Sequence, residues 1–195
     1  MLIVTEHLAI REIDKPDLDD IMAYQYDPLY LRYYPSTWAD RTPEEVRRYI
    51  KRFIDWRDEE PRIRYQLAMT LREDLKLIGV LSLRKPDAEA TEAELGGDLA
   101  PAYWNLGYAT EGGEAMLALG FEELGLRRIW SSTVVHNRGA RRVLEKLGLR
   151  YEGEERATTL LPDGWADSAI YAMKREEWQA RVGGHGRIAD PSYPG

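Results

Sequence analysis

The chain has 195 residues, of which 44% are hydrophobic and 31% are charged, a composition typical of one folded domain with an apolar core. No segment approaches the roughly 20 consecutive apolar residues that a membrane span requires, and the N-terminus lacks the basic and apolar regions of a secretory signal, so we expect a cytoplasmic protein that contacts no membrane. The absence of cysteine excludes disulfides and thiolate chemistry, while the net charge of −7 argues against nucleic acid binding and mildly favours a cationic partner.

Alternating apolar residues predict a first strand at residues 8–13, followed by a short helix at residues 17–26 that ends before Asp27-Pro28. Aromatic residues then cluster between positions 30 and 38: Tyr30, Tyr33, Tyr34 and Trp38, with Pro35 among them. Such a cluster can line a binding pocket or simply cap a core, and the sequence leaves both interpretations open.

A second helix is predicted from Thr42 to about Arg57, because Thr42-Pro43-Glu44-Glu45 supplies a side-chain cap, a proline and acidic residues at the positive helix end. Two alternating apolar runs at residues 65–71 and 77–83 then predict an antiparallel hairpin, and a shorter strand is expected at residues 94–99.

The second half of the chain continues this mixture of helices and strands. A helix is predicted from Gly107 to about Leu124, a strand at residues 126–135, and a helix at residues 137–147 that ends at Gly148. Two final strands, at residues 149–160 and 165–173, flank the turn signal Pro162-Asp163-Gly164. The sequence thus predicts an α+β fold, with helices on both faces of a mostly antiparallel sheet of about seven strands.

We expect a single domain over residues 1–181. Residues 182–195 are rich in glycine and proline, which is typical of a flexible C-terminal tail.

The most informative segment runs from Trp104 to Thr110, where a turn leads into a helix. The first backbone N–H groups of a helix have no partner within the helix, and together with the helix dipole they can hold an anion without lysine. We therefore expect the N–H groups from Leu106 to Thr110 to converge on a diphosphate. A glycine before a helix is also explained by capping alone, so the segment needs further support.

That support is a resemblance to the acetyl-CoA signature of the GNAT acetyltransferases, in the form Pro-x-x-Trp-Gly-x-Gly-Tyr-Ala-Thr-Glu found in RimJ/RimL-like members. Pro101, Trp104 and the run from Gly107 to Glu111 match it in register. Trp104 stands where other branches have Gln or Arg. Asn105 replaces a glycine, but asparagine tolerates a left-handed backbone, so we expect the turn to persist.

Two further segments resemble the same family. Asn137–Leu149 is similar to the pattern N-x-x-S/A-x-x-V-x-E-K-x-G-F, and residues 163–178 are similar to a D-G-x-x-x-D-x-x-x-Y hairpin followed by R-E-E-W. Together the three segments span most of residues 77–178, whereas the first 76 residues fit the family only by their pattern of elements.

The resemblance implies a splayed GNAT sheet and transfer of the acetyl group of acetyl-CoA to a protein N-terminus, a polyamine or another small amine by direct attack in a ternary complex. It implies a bulge at Gly96-Gly97, no metal, and a monomer or homodimer. The implied coenzyme-binding residues are Leu99, Trp104, Asn105, Leu106, Gly107, Tyr108, Ala109, Thr110, Asn137 and Arg141.

Direct transfer needs a neutral amine, so a base must remove a proton from an ammonium group, whose pKa is ordinarily about 10.4 for a lysine-like amine. Glu94, Asp98 and His136 are candidates, and the sequence does not choose among them.

The family commonly supplies an acid to the leaving thiolate from a tyrosine seven residues after the position of Asn137, but this chain has Leu144 there. Ser132, Ser131, Tyr108 or water could replace it. A different class of function also stays open, that of a non-catalytic acyl-CoA-binding regulatory domain.

Overall fold

The computed structural model describes residues 1–34 and 41–183, which form eight strands and six helices. The strands are β1 Leu2–Val4, β2 Leu8–Glu12, β3 Arg64–Leu71, β4 Leu77–Arg84, β5 Glu92–Leu99, β6 Arg128–Val134, β7 Arg150–Leu161 and β8 Gly164–Lys174. The helices are α1 Asp17–Gln25, α2 Pro28–Leu31, α3 Pro43–Asp55, α4 Tyr108–Ala118, α5 Arg138–Lys146 and α6 Arg175–Gly183. Among these residues, no helix is long and apolar enough to cross a bilayer.

Some predictions fall outside the described residues. Pro35 and Trp38 of the aromatic cluster do so, as does most of the predicted tail, although residues 182 and 183 belong to α6.

All strands form one sheet, in the order β1-β2-β3-β4-β5-β6-β8-β7, and every neighbouring pair is antiparallel except β5 and β6. This confirms the predicted mostly antiparallel sheet and adds β1, which the sequence analysis missed because three residues are too few to show alternation. The parallel pair is joined only from Glu92 to Glu94, opposite Arg128 to Trp130. Beyond these residues the two strands diverge, which confirms the predicted splay.

The bulge predicted at Gly96-Gly97 is wrong. β5 pairs with β4 in one unbroken register from Glu94 to Leu99. The two glycines serve close packing instead, because a Cβ at Gly96 would lie 2.8 Å from Ser82 Oγ and a Cβ at Gly97 would lie 2.9 Å from Val80 O.

Helices cover both faces of the sheet, as predicted. Side chains alternate along each strand, so Leu67 and Leu81 join the core beneath α4, α5 and α6, whereas Ala68 and Val80 join the core beneath α1, α2 and α3. We refer to the second of these surfaces as the α1 face. At the start of α3 the predicted cap is present, since Thr42 Oγ1 accepts a hydrogen bond from Glu45 N–H and the Glu45 carboxylate accepts one from Thr42 N–H.

The outermost strand, β7, is long but irregular. Its pairing with β8 shifts register between Tyr151 and Gly153 and again between Glu155 and Thr159, and Ala157 has a positive φ of 52°. Most of its side chains are exposed.

Candidate active site

The candidate site lies where β5 and β6 separate. Because these strands are parallel and pair only at their first residues, they diverge towards their carboxyl ends. There β5 leads through a turn into α4, and β6 leads into α5. The amino ends of two helices therefore open beside one gap in the sheet.

The turn between β5 and α4 holds a left-handed backbone at two positions. Asn105 has φ 63° and Gly107 has φ 97°, which confirms that asparagine takes the place of the usual glycine without loss of the turn. Trp104 fastens the turn to the strand end, since its indole N–H donates to the Leu99 carbonyl over 2.7 Å.

The N–H groups of this turn largely lack protein partners. Within the described residues, no acceptor is found for the N–H groups of Asn105, Leu106, Gly107, Tyr108 and Ala109. The prediction that the Thr110 N–H would also be free was wrong, because this group donates to the Gly107 carbonyl over 2.9 Å. A single turn thus presents five successive residues with free donors at the positive end of α4.

The one carboxylate in the first turn of α4 is held elsewhere. Glu111 Oε1 accepts hydrogen bonds from the Thr5 hydroxyl (2.5 Å) and the His7 N–H (2.7 Å), and Oε2 lies 3.0 Å from His7 Nδ1. Burial by itself would raise the pKa of Glu111, but these hydrogen bonds outweigh it and lower the pKa. The charged carboxylate is therefore fixed to the connection between β1 and β2.

At the start of α5, Asn137 acts as the predicted helix cap. Its Oδ1 accepts a hydrogen bond from Ala140 N–H over 3.1 Å, and its side-chain amide N–H meets no acceptor among the described residues. Arg141 braces α5 against the sheet, with Nε donating to the Tyr171 hydroxyl (3.0 Å) and Nη1 to the Val135 carbonyl (3.2 Å). A coenzyme contact from Asn137 or Arg141 stays a prediction.

Along β5 the main chain of Leu99 faces the gap. Ala100 N–H donates to Ile78 O over 2.8 Å, and hydrogen bonding alternates along an antiparallel strand. The N–H and carbonyl of Leu99 therefore point away from β4. The Leu99 carbonyl meets Trp104, while its N–H opens into the space that β6 has left.

One residue earlier, Asp98 projects from the α1 face into a group of tyrosines. Its carboxylate accepts hydrogen bonds from the Tyr24 hydroxyl (2.5 Å) and the Tyr30 hydroxyl (3.0 Å), and the ring of Tyr34 stacks on that of Tyr30 with centroids 4.1 Å apart. Burial raises the pKa of Asp98, while the two tyrosine hydroxyls and, more weakly, the charge of Arg84 oppose the rise. Tyr30 thus both packs in the core and binds a candidate base.

The other candidate bases lie apart from this point. Glu94 is at the closed end of the gap, opposite Arg84 and Trp130. His136 is exposed after β6, with its ring 6.1 Å from that of Tyr33, and it lines a cleft of about 310 Å³. The remaining lining residues of this cleft are Val135, Asp163, Gly164, Trp165, Ala166 and Asp167.

Ser132 is exposed on β6, across the gap from β5. Since Glu94 and Trp130 are paired, alternation places Ser132 on the same face as Asp98. Leu144, at the position where the family commonly has a tyrosine, is buried in the core beneath α5.

Sequence reasoning missed Tyr24 and Arg84. Tyr24 lies in the predicted first helix, 74 residues from Asp98, and no local pattern joins the two. The position of Arg84 could have been predicted from the sequence. It follows the predicted strand 77–83 directly, and this places it opposite Glu94 in the hairpin that the two strands form.

Comparison with known proteins agrees with this geometry. The family model described as an acetyltransferase (GNAT) domain matches residues 7–150. YnaD, an uncharacterized N-acetyltransferase of Bacillus subtilis (strain 168), is 32% identical over 178 residues, covering 91% of this chain and 99% of that protein. The crystal structure of a GNAT-family acetyltransferase from Bacillus anthracis is similar with a TM-score of 0.76 and 28% identity, covering 91% of this chain and 100% of that one.

Mycobacterium smegmatis RimJ in complex with CoA-disulfide has a TM-score of 0.75 and 20% identity, and the match covers 90% of this chain and 89% of that one. At this identity the likeness shows a shared fold. With the family model covering most of the sequence, the predicted resemblance is confirmed. The chain belongs to the GNAT acetyltransferase family.

Proposed function

We propose that this acetyltransferase transfers the acetyl group of acetyl-CoA to a primary amine, which reaches the gap between β5 and β6 from the α1 face. One observation carries the proposal: the Leu99 N–H opens into the gap, and the adjacent carboxylate of Asp98 lies on the α1 face. The proposed hydrogen-bond donor to the thioester carbonyl, Leu99 N–H, and the proposed base for the amine, Asp98, are therefore adjacent residues.

The residues of the site fit acetyl-CoA. Its diphosphate suits the free N–H groups from Asn105 to Ala109, and the amides of its pantetheine arm suit the side chain of Asn137. The fold is also that of a neighbour, RimJ of Mycobacterium smegmatis, whose structure contains CoA-disulfide. Acetyl-CoA would supply an acetyl group as a thioester, whose carbonyl carbon an amine can attack with departure of the CoA thiolate.

The chain's own residues then have distinct tasks. Asp98 takes a proton from the ammonium group, and its raised pKa brings the carboxylate closer in basicity to the amine that it must deprotonate. The Leu99 N–H donates to the thioester oxygen, where negative charge develops. Ser132, across the gap on the same face, is the proposed proton donor to the leaving sulfur.

The function is tested by two measurements on the full chain. Calorimetry should detect binding of acetyl-CoA and of CoA, and a thiol-release assay with a panel of amines and peptides should detect turnover. Binding without turnover on any amine would favour the non-catalytic regulatory domain instead. No binding of either coenzyme form would remove the basis of the proposal.

A change at Tyr24 should move the pH dependence in a defined direction. Tyr24→Phe removes a hydrogen bond that lowers the pKa of Asp98, so this pKa should rise. As the pH is lowered, Asp98 should then become protonated, and inactive as a base, at a higher pH than in the wild type. We expect the acidic limb of kcat against pH to shift to higher pH, measured with saturating substrates and one amine throughout. Tyr26→Phe is the matched control, since Tyr26 is exposed and its hydroxyl donates to the Arg41 carbonyl, at 3.4 Å, and not to Asp98. An unshifted limb in Tyr24→Phe contradicts Asp98 as the base.

A further inference from the structure

Arg84, at the end of β4, carries a half-buried charge and lies opposite Glu94 of β5. Within the described residues it forms no salt bridge, and its buried Nε has no hydrogen-bond partner. Arg141 and Arg175 are likewise half-buried and bond hydroxyl or carbonyl oxygens, whereas five other half-buried arginines each bridge a carboxylate, namely Arg11, Arg62, Arg64, Arg128 and Arg181. A guanidinium removed from water without an anionic partner is costly, so its retention here calls for an explanation.

The guanidinium folds back along the sheet towards Gly96. Arg84 Nη2 donates to Ser82 Oγ over 3.3 Å, and it would lie 3.5 Å from a Cβ built on Gly96. Ser82 and Gly96 are direct cross-strand partners. The missing side chain at Gly96 thus lets the Ser82 hydroxyl and the guanidinium lie close against β5, and Gly96 itself is only partly buried.

This position brings the guanidinium near Asp98. Asp98 lies two residues beyond Gly96 on the same face of β5, a distance of about 6–7 Å along a strand. The charge of Arg84 is also among the influences that lower the pKa of Asp98, after the stronger effects of burial and of the tyrosine hydroxyls. A fixed positive group and a fixed negative group therefore stand side by side on the α1 face.

We propose that Arg84 determines the acceptor: the carboxylate of an amino acid binds Arg84 while its amine lies at Asp98. The inference rests on the function proposed above, and it narrows the acceptor to small molecules that carry a carboxylate next to the amine. Such a zwitterion complements both charges, because its carboxylate can accept hydrogen bonds from Arg84 while its ammonium donates to Asp98. Arginine suits carboxylates because its planar fork donates two parallel hydrogen bonds. A polyamine, by contrast, would place a second cation against Arg84, which is unfavourable.

The test compares matched acceptors. Each L-amino acid is paired with its own amide, which keeps the shape but removes the negative charge, and kcat/KM is measured for both by thiol release. The wild type should prefer at least one amino acid over its amide by roughly tenfold or more, the value of a charge-assisted hydrogen bond. In Arg84→Met this ratio should collapse, and in Arg84→Lys it should be partly restored.

Two controls separate specificity from folding. Arg64→Met removes a charge from the cross-strand partner of Arg84 and should leave the ratio unchanged. Calorimetry should show that Arg84→Met still binds acetyl-CoA like the wild type. Because the same two amines are used with every variant, the difference in their basicity cancels when the ratios of the variants are compared.

The outcomes are distinct. If the wild type prefers amides, peptides or spermidine over every amino acid, or if Arg84→Met keeps the wild-type ratio, the inference about Arg84 is overturned while the proposed function stands. If the wild type releases no thiol with any amine, the proposed function itself fails.

Discussion

Asp98→Asn is expected to lower kcat by roughly 10²- to 10⁴-fold, the usual contribution of a positioned base. The amide is nearly identical in shape to the carboxylate and can still contact the hydroxyls of Tyr24 and Tyr30, but it cannot take a proton from the acceptor. Affinity for acetyl-CoA should be unchanged, because its proposed ligands lie in the turn before α4 and at the start of α5. Steady-state thiol release and calorimetry measure the two effects separately.

Glu94→Gln provides the matched comparison. It makes the same chemical change on the same face of the same strand, but at the end where β5 still pairs with β6. We expect a much smaller loss of kcat than in Asp98→Asn. The opposite ranking would identify Glu94 as the base and would require the amine to bind at the closed end of the gap.

Gly107→Asp should weaken binding of acetyl-CoA by at least about tenfold relative to Gly107→Asn, which corresponds to about 1.4 kcal/mol. A side chain has room here, since no atom lies within 4 Å of a Cβ built on Gly107. Asparagine and aspartate both tolerate the left-handed backbone, so the two variants carry similar strain and differ in charge. The aspartate would repel the diphosphate that the neighbouring N–H groups are proposed to hold.

Calorimetry at several salt concentrations checks this prediction. The difference between the two variants should shrink as salt rises, because charges near the surface are screened. The same pair of substitutions at Gly125, which also has a left-handed backbone (φ 70°), should give equal affinities. Equal affinities at Gly107 as well would mean that the diphosphate binds somewhere else.

Most elements of this fold were predictable from local signals, although the helices α2 and α6 and the strand β1 were not predicted. Thr42 with Glu45 marked the start of α3, Gly148 marked the end of α5, and apolar runs together with turn signals located seven of the eight strands. The bulge at Gly96-Gly97 was predicted wrongly because glycines in a strand signal either irregular pairing or close contact, and only the neighbouring strand decides between them.

The candidate site was predictable only in part. The turn from Trp104 to Ala109 is contiguous in sequence, so its free donors could be expected from the residue types alone. The environment of Asp98 could not, because its partners come from α1, α2 and the end of β4. A carboxylate on a strand is ordinarily solvated, and nothing local indicates that tyrosines from distant segments will bury it.

The irregular outer strand has a consequence for self-association. An exposed strand edge invites a second molecule to dock by backbone hydrogen bonding, the route by which sheet proteins merge or form fibrils. Here β7 is interrupted by two register shifts and carries exposed negative charges at Glu152, Glu154 and Glu155, while β1 at the opposite edge offers only three residues. These features disfavour the fusion of two sheets into one continuous ladder, so we expect any dimer of the chain to be built mainly from helices or loops.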